Sequence, residues 1–259
     1  MDVTAIIQAR MTSSRLPGKI VKQVGGRPLL ALMIERVRQA RRIARVIIAT
    51  TTNREDDVVA ALGAELGVPV FRGSERHVLE RFSQAAVRYS GEIIMRLTGD
   101  CPLIDPDLLD ELVAFFGRGE YDYASNCLEP TLPDGLDAEI FTRRALLEAY
   151  EEARLPSEIE HVTAFINQRP DRYRLGSWRH GRDLSGLRWT VDEAEDFEFV
   201  RQVLEMLPDG RNFRMQDVLT LLAERPELLA INSGFQRNEG LMKSLREDVD
   251  FIEAHGKGE

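Results

Sequence analysis

Twelve residues near the amino terminus, Gln8 to Lys19 (QARMTSSRLPGK), gather Arg10, Ser13, Ser14, Arg15, Gly18 and Lys19 into one segment behind an apolar run. Guanidinium forks and an ammonium bind phosphate oxygens, hydroxyls and main-chain amides add hydrogen bonds, and glycine lets backbone come close. The segment matches neither common phosphate-binding signature. Ser13 stands where G-x-x-x-x-G-K-[ST] needs glycine, Ile20 follows the lysine, and no G-x-G-x-x-G occurs. By composition alone, a phosphate cradle and a basic surface loop are equally open.

Two aspartates could complete such a site. Asp100 lies in LTGDCPLID, where Gly99 and Pro102 suit a tight turn, and Asp192 closes LRWTVD. Taken singly, Asp100 reads as a turn residue and Asp192 as a helix N-cap boxed by Glu195. Taken together, two carboxylates facing a basic phosphate loop are what Mg2+ needs when a triphosphate and water supply its remaining ligands. Other reactive groups are weaker candidates. Cys101 is followed by Pro102 and lacks a base partner, so it reads as a packed side chain. His161 and His180 lack metal-ligand spacing and read as structural or surface groups, and Phe115, Phe116, Trp178 and Trp189 as core or interface residues.

The elements that must position these groups alternate. Val3–Ala9, Arg45–Thr50, Val68–Phe71 and Glu92–Leu97 read as buried strands, and Pro28–Arg42, Glu55–Leu66 and His77–Tyr89 as helices between them. Such alternation predicts βαβ units, a mostly parallel sheet with helices on both faces, and ligands beyond the strands' carboxyl ends, in the loops after residues 9, 50, 71 and 97. Farther on, helices are expected over Pro106–Phe116, Thr142–Arg154, Ser157–Gln168 (with Ser157 and Glu160 as a capping box), Glu193–Leu207 and Met215–Glu224. Strands are expected over Tyr121–Asn126, Ala138–Phe141, Arg172–Arg179 and Leu187–Val191. After a main domain over 1–234, the tail 235–259 places Leu241, Leu245, Val249 and Ile252 at heptad-like spacing, suited to packing on the body or on a second subunit.

Composition bounds the partners. The 259 residues carry a formal charge of -9, which argues against a general nucleic-acid binder. Residues 1–50 nevertheless hold ten Lys and Arg against Asp2 and Glu35, a local basic excess suited to a small phosphorylated ligand. Arg36, Arg38, Arg41 and Arg42 within it read as the wet face of a helix. The longest apolar run is six residues, Leu29 to Ile34, too short for a membrane span. The first residues read as a strand instead of a secretion signal, and two cysteines are too few for a disulfide framework, so a cytoplasmic protein is expected.

The segments QARMTSSRLPGK, GGRPLL, IATT, FRGSERHVLERF, RLTGDCPLIDP, PDGLDAEIF and WTVDEAEDFE, in this order, resemble the cytidylyltransferases that make spore-coat polysaccharide precursors and, more distantly, the CMP-KDO and CMP-sialate synthetases. The resemblance implies a Rossmann-like nucleotidyltransferase fold, a homodimer, and transfer of CMP from CTP to a sugar or sugar acid. It implies that Arg10, Arg15 and Lys19 hold the triphosphate, with Ala9, Ser13, Ser14 and Arg72 near the nucleotide. It implies Mg2+ on Asp100 and Asp192, and Asp137 and Glu139 near the acceptor. The family pattern has an acid before VLER, where this chain has His77. A glycosyltransferase using a nucleotide sugar is the alternative; Asp105-Pro106-Asp107 has the spelling of its metal motif but reads as a helix start. A non-catalytic nucleotide-binding scaffold is a third reading.

Overall fold

A computed structural model describes residues 1–207, 212–235, 237 and 239–255. The strands are β1 (Val3–Gln8), β2 (Gln23–Val24), β3 (Arg27–Pro28), β4 (Ile43–Thr51), β5 (Val70–Gly73), β6 (Ile93–Thr98), β7 (Tyr123–Ser125), β8 (Glu139–Thr142) and β9 (Leu175–Ser177). The helices are α1 (Leu29–Val37), α2 (Asp57–Glu65), α3 (Val78–Tyr89), α4 (Pro106–Arg118), α5 (Arg143–Glu152), α6 (Pro156–Glu160), α7 (Ala164–Asn167), α8 (Ala194–Met206), α9 (Met215–Glu224) and α10 (Glu239–His255). Seven strands form one sheet in the order β5-β4-β1-β6-β8-β7-β9, and β2 pairs with β3 separately. Strands β5, β4, β1 and β6 run parallel; β8 is antiparallel to β6 and β7, and β9 rejoins β7 in parallel. This is the predicted Rossmann-like α/β fold.

Strand alternation sends side chains to two cores. Ile7, Ile48 and Leu97 pack with Leu30, Ile34, Leu109 and Val113, while Ile6, Ile47 and Ile94 pack with Leu79, Phe82 and Leu146 on the other face. A third cluster surrounds the buried Trp189 and joins α8 and α9 to Leu103, Leu132 and Leu136. Among the described residues, no helix is long and apolar enough to cross a membrane.

Several expectations shift. The helix foreseen over Pro28–Arg42 ends at Val37, because Asp110 accepts the backbone amides of Arg41 (3.0 Å) and Arg42 (2.7 Å) and turns the chain into β4. Arg36 is not on a wet face. It is buried, stacked 3.4 Å from the Phe213 ring centroid, and donates to the carbonyls of Ile104 (2.7 Å) and Phe213 (3.1 Å). The Ser157–Gln168 helix is broken: Glu158, not Glu160, takes the amides of Arg154 and Leu155, and α6 and α7 are separated around His161 to Thr163. Leu187–Val191 forms no named strand: Arg188 makes one isolated bridge to Asp134, and other backbone bonds of the segment go to Leu184 and Asp100.

In the tail, Asp248 accepts from Ser157 N at 2.8 Å and Ser244 Oγ lies 3.0 Å from His161 Nε2, so α10 meets the body through polar contacts. Of the heptad positions, Leu245, Val249 and Ile252 do not pack on the body and are exposed along with Met242.

Candidate active site

The loop after β1 is anchored at both ends. Met11 donates its amide to Asp56 Oδ1 at 2.7 Å, and Gly18 donates to the Met11 carbonyl at 2.9 Å. Asp56, wholly buried, also accepts the Thr51 amide and hydroxyl, tying the loop to the end of β4. Gly18 sits at φ 69°, a left-handed conformation that costs glycine little and starts the tight turn carrying Lys19 inward.

Lys19 reaches the centre of the site, with Nζ 2.6 Å from Asp100 Oδ2 and 2.7 Å from Asp192 Oδ1. Burial works against its charge, but the two carboxylates outweigh that and hold the pKa above the ordinary lysine value. Burial alone would raise Asp100; Lys19 reverses this and keeps it below the usual carboxylate range. The two aspartates meet because Val191 N donates to the Asp100 carbonyl at 2.9 Å, clamping the segment after Trp189 onto the end of β6. Arg15 adds ion pairs to Asp192 (2.9 Å) and Glu193 (3.4 Å). The capping box at Asp192 falls one residue later than expected: Glu193 is the N-cap, and Asp196 accepts the amides of Asp192 and Glu193 at 3.0 Å. That leaves the Asp192 carboxylate to the site.

Two cavities share this junction. The larger, about 820 Å3, is lined by Ala9, Arg10, Ser13, Ser14, Arg15 and Lys19, joined by Arg76 and Arg81. Arg10 makes a loose pair with Glu160 at 3.4 Å. Burial, and then the neighbouring Arg10, lower the pKa of Arg81 to about 10, the mark of cations crowded together. The smaller cavity, about 340 Å3, is lined by Asp134, Asp137 and Glu139 with Arg96 and Arg188. Arg15, Thr98, Asp100, His161 and Asp192 line both.

In the smaller cavity every arginine is engaged. Arg96 pairs with Glu139, which also accepts from Tyr123 (2.6 Å) and Thr163 (2.5 Å). Arg188 reaches Asp196 (2.9 Å), Asp134 (3.1 Å) and Asp192 (3.3 Å). Asp137 pairs with Arg237. Burial, and then Asp137, raise the pKa of Asp134 to about 6, and burial raises Asp137 too. Gly135, at φ 108°, lets this loop lie against residues 189–190, since a Cβ there would stand 2.4 Å from Thr190 N.

Most of the expected site residues therefore converge. Arg72 stands apart: it binds the carbonyls of Thr51 (2.9 Å) and Asn53 (2.8 Å) and the Asp57 carboxylate (2.6 Å), and lines neither cavity. His77 has a local role, its Nδ1 accepting the Glu80 amide at 3.0 Å as N-cap of α3. Cys101 is buried and burial pushes its thiol up, which fits the expected packed side chain. Asp105 caps α4 and accepts from Met215 N at 2.5 Å, while Asp107 pairs with Arg214, so Asp105-Pro106-Asp107 starts a helix as expected. His161 lines both cavities, which its reading as a merely structural or surface group did not capture. Sequence reading also missed Arg76, Arg81, Arg96 and Arg188; the signal for Arg81 was a cation beside the apolar stripe Val78, Leu79 and Phe82.

Among the described residues, no three His, Cys, Asp or Glu side chains cluster as a ready metal site. Asp100 and Asp192 do converge on one point, occupied by Lys19 Nζ. Two hard oxygen donors at the edge of a phosphate-sized cavity suit a divalent cation that draws its other ligands from substrate and water.

Residues 4–228 match the cytidylyltransferase family. The chain is 33% identical to the spore coat polysaccharide biosynthesis protein SpsF of Bacillus subtilis, over 87% of this chain and 96% of that one. It is 30% identical to the 8-amino-3,8-dideoxy-manno-octulosonate cytidylyltransferase of Shewanella woodyi, over 83% and 89%. The solved structure of a cytidylyltransferase from Leptospira borgpetersenii superposes with a TM-score of 0.86 at 33% identity, covering 92% of this chain and all of the other.

Proposed function

The chain belongs to the cytidylyltransferase family, and from that footing we propose that it passes the CMP of CTP to a hydroxyl of a sugar or sugar acid and releases pyrophosphate. The proposed setting is precursor synthesis for a surface polysaccharide or related glycan. The name of the Shewanella relative supports a sugar-acid acceptor, and that of SpsF supports the setting. Two free cysteines and no disulfide among the described residues accord with a cytoplasmic site of action.

The observation that carries the reading is the meeting of two cavities at Asp100 and Asp192. A phosphoryl transfer in line needs donor and acceptor on opposite sides of one phosphorus. CTP in the larger cavity and the sugar in the smaller put the α-phosphate at the junction. There the acceptor oxygen forms a bond to phosphorus, the bond to the pyrophosphate oxygen breaks, and the hydroxyl proton is released. Lys19, Arg10 and Arg15 stabilise the negative charge on the phosphate oxygens, and Ser13 and Ser14 add hydroxyl donors. No protein nucleophile is needed. Asp100 and Asp192 are the residues proposed to hold Mg2+, which when bound neutralises phosphate charge and lowers the pKa of a coordinated hydroxyl. Asp137 and Glu139 are proposed to face the acceptor.

The test is pyrophosphate release from CTP with Mg2+ and a panel of sugars and sugar acids. Silence with every nucleoside triphosphate would refute the assignment. A homodimer is part of the proposal, supported by Met242, Leu245, Val249 and Ile252, which α10 leaves exposed. A dimer-sized species in sedimentation that Val249→Glu converts to monomer is the expected outcome; a monomeric wild type would contradict it.

A further inference from the structure

The larger cavity is not walled by the family-matching residues alone. That match ends at residue 228, yet Lys243, Ser244 and Glu247 of α10 share the cavity lining with Arg10, Ser13 and Lys19. The helix owes its placement to the i, i+4 pair Ser244 and Asp248, both buried. Asp248 takes the Ser157 amide, and Ser244 meets His161. Two contacts one turn apart fix the rotation of a helix about its axis. The neighbouring i, i+4 pair, Lys243 and Glu247, about 100° farther round, is thereby delivered to the cavity. Lys243 Nζ lies 3.7 Å from Glu247, with the lysine side chain 79% exposed. So long and exposed a pair is held weakly and can give up its carboxylate for a stronger anion.

On the reading that CTP occupies this cavity, we propose that Lys243 is a further nucleotide-binding residue, contributed from outside the family-matching region and directed at the polyphosphate, with Ser244 and Asp248 as its positioning residues. The cationic loop after β1 approaches the phosphates from the sheet, and Lys243 approaches from α10. The arrangement makes α10 part of the nucleotide site as well as a docked tail.

Calorimetric titration of CTP, CMP and pyrophosphate, each with Mg2+, into the full chain tests this. Wild-type CTP binding is the control: if wild type does not bind CTP, the reading of the cavity fails, and the inference about Lys243 falls with it. Where wild type binds CTP, Lys243→Ala is expected to weaken CTP and pyrophosphate about tenfold, the scale of one charge-assisted hydrogen bond. CMP affinity should change by less than about twofold, and Lys243→Arg should retain most of the CTP affinity. Asp248→Ala should reproduce the loss while raising amide hydrogen exchange in 239–255, and the double variant should bind no worse than either single one. Unchanged CTP affinity in Lys243→Ala overturns the proposal, as does an equal loss for CMP. Additive losses in the double variant overturn the positioning role of Asp248.

Discussion

The two cavities that meet at Asp100 and Asp192 are built on opposite electrostatic plans. The larger takes most of its cations from the first hundred residues, where Arg10 and Arg81 crowd one another and Arg10 makes a loose pair with Glu160 at 3.4 Å. The smaller comes mostly from the second half, and there Arg96, Arg188 and the carboxylates Asp134 and Glu139 are already paired. A cavity of crowded cations is stabilised by an incoming anion. A cavity of satisfied pairs offers fixed donors and acceptors, which suits a polyhydroxylated ligand read by hydrogen bonds. The difference accords with the proposed placing of CTP on one side and the acceptor on the other, and substitutions should separate them.

The largest effect is expected at the junction, where the two sides cannot be separated. Lys19→Ala and Asp100→Asn should each reduce the rate of CTP-dependent pyrophosphate release by about a thousandfold or more, measured at saturating substrates. A tenfold loss or less would move the chemistry elsewhere. Next comes the larger cavity alone: Arg10→Ala should raise the KM for CTP about tenfold to a hundredfold and leave that for the acceptor within about twofold. The mirror experiment is Asp137→Asn, expected to raise the acceptor KM about tenfold with CTP affinity unchanged. If either variant shifts both constants equally, the division between the cavities is wrong.

The smallest effect concerns His161, which lines both. Burial lowers its pKa to about 4 from an ordinary 6.5, so the unfolded chain binds the proton more readily than the folded one. Its contribution therefore destabilises the fold as pH falls from 6.5 towards 4, and stability should rise with pH across that window. His161→Gln should flatten that slope by about 2 kcal/mol over the window, read from urea unfolding at several pH values. An unchanged slope would place the histidine in an exposed, chargeable position.

The strand and helix order of the first hundred residues was legible because parallel strands buried on both faces are short apolar runs, and helices between them show one apolar stripe. The cradle was legible in part. Arg10, Arg15 and Lys19 sit in one loop, and strand-end position predicts that Asp100 joins them. The partnership with Asp192 was anticipated from the pairing of two carboxylates and from the family resemblance, while the backbone hydrogen bond from Val191 to Asp100 that brings it about joins segments ninety residues apart and has no local pattern. Arg36 was misread because its helix is largely buried, and the partners that satisfy the buried guanidinium, among them the Ile104 and Phe213 carbonyls and the Phe213 ring, are distant in sequence. The docking of α10 was open in the sequence: its apolar heptad suited the body or a second subunit, and the contact with the body is made instead by Ser244 and by Asp248, which accepts the Ser157 amide. Arg72 shows the limit of carrying a role by motif: its guanidinium is consumed by Thr51, Asn53 and Asp57.

The most direct test is a crystal structure of the chain with CTP and Mg2+. The nucleotide should lie in the larger cavity, its polyphosphate among Arg10, Arg15 and Lys19 and its α-phosphate beside Asp100 and Asp192, with the smaller cavity open to solvent. Cytidine seated between Asp137 and Glu139, or an α-phosphate remote from both aspartates, would contradict the account.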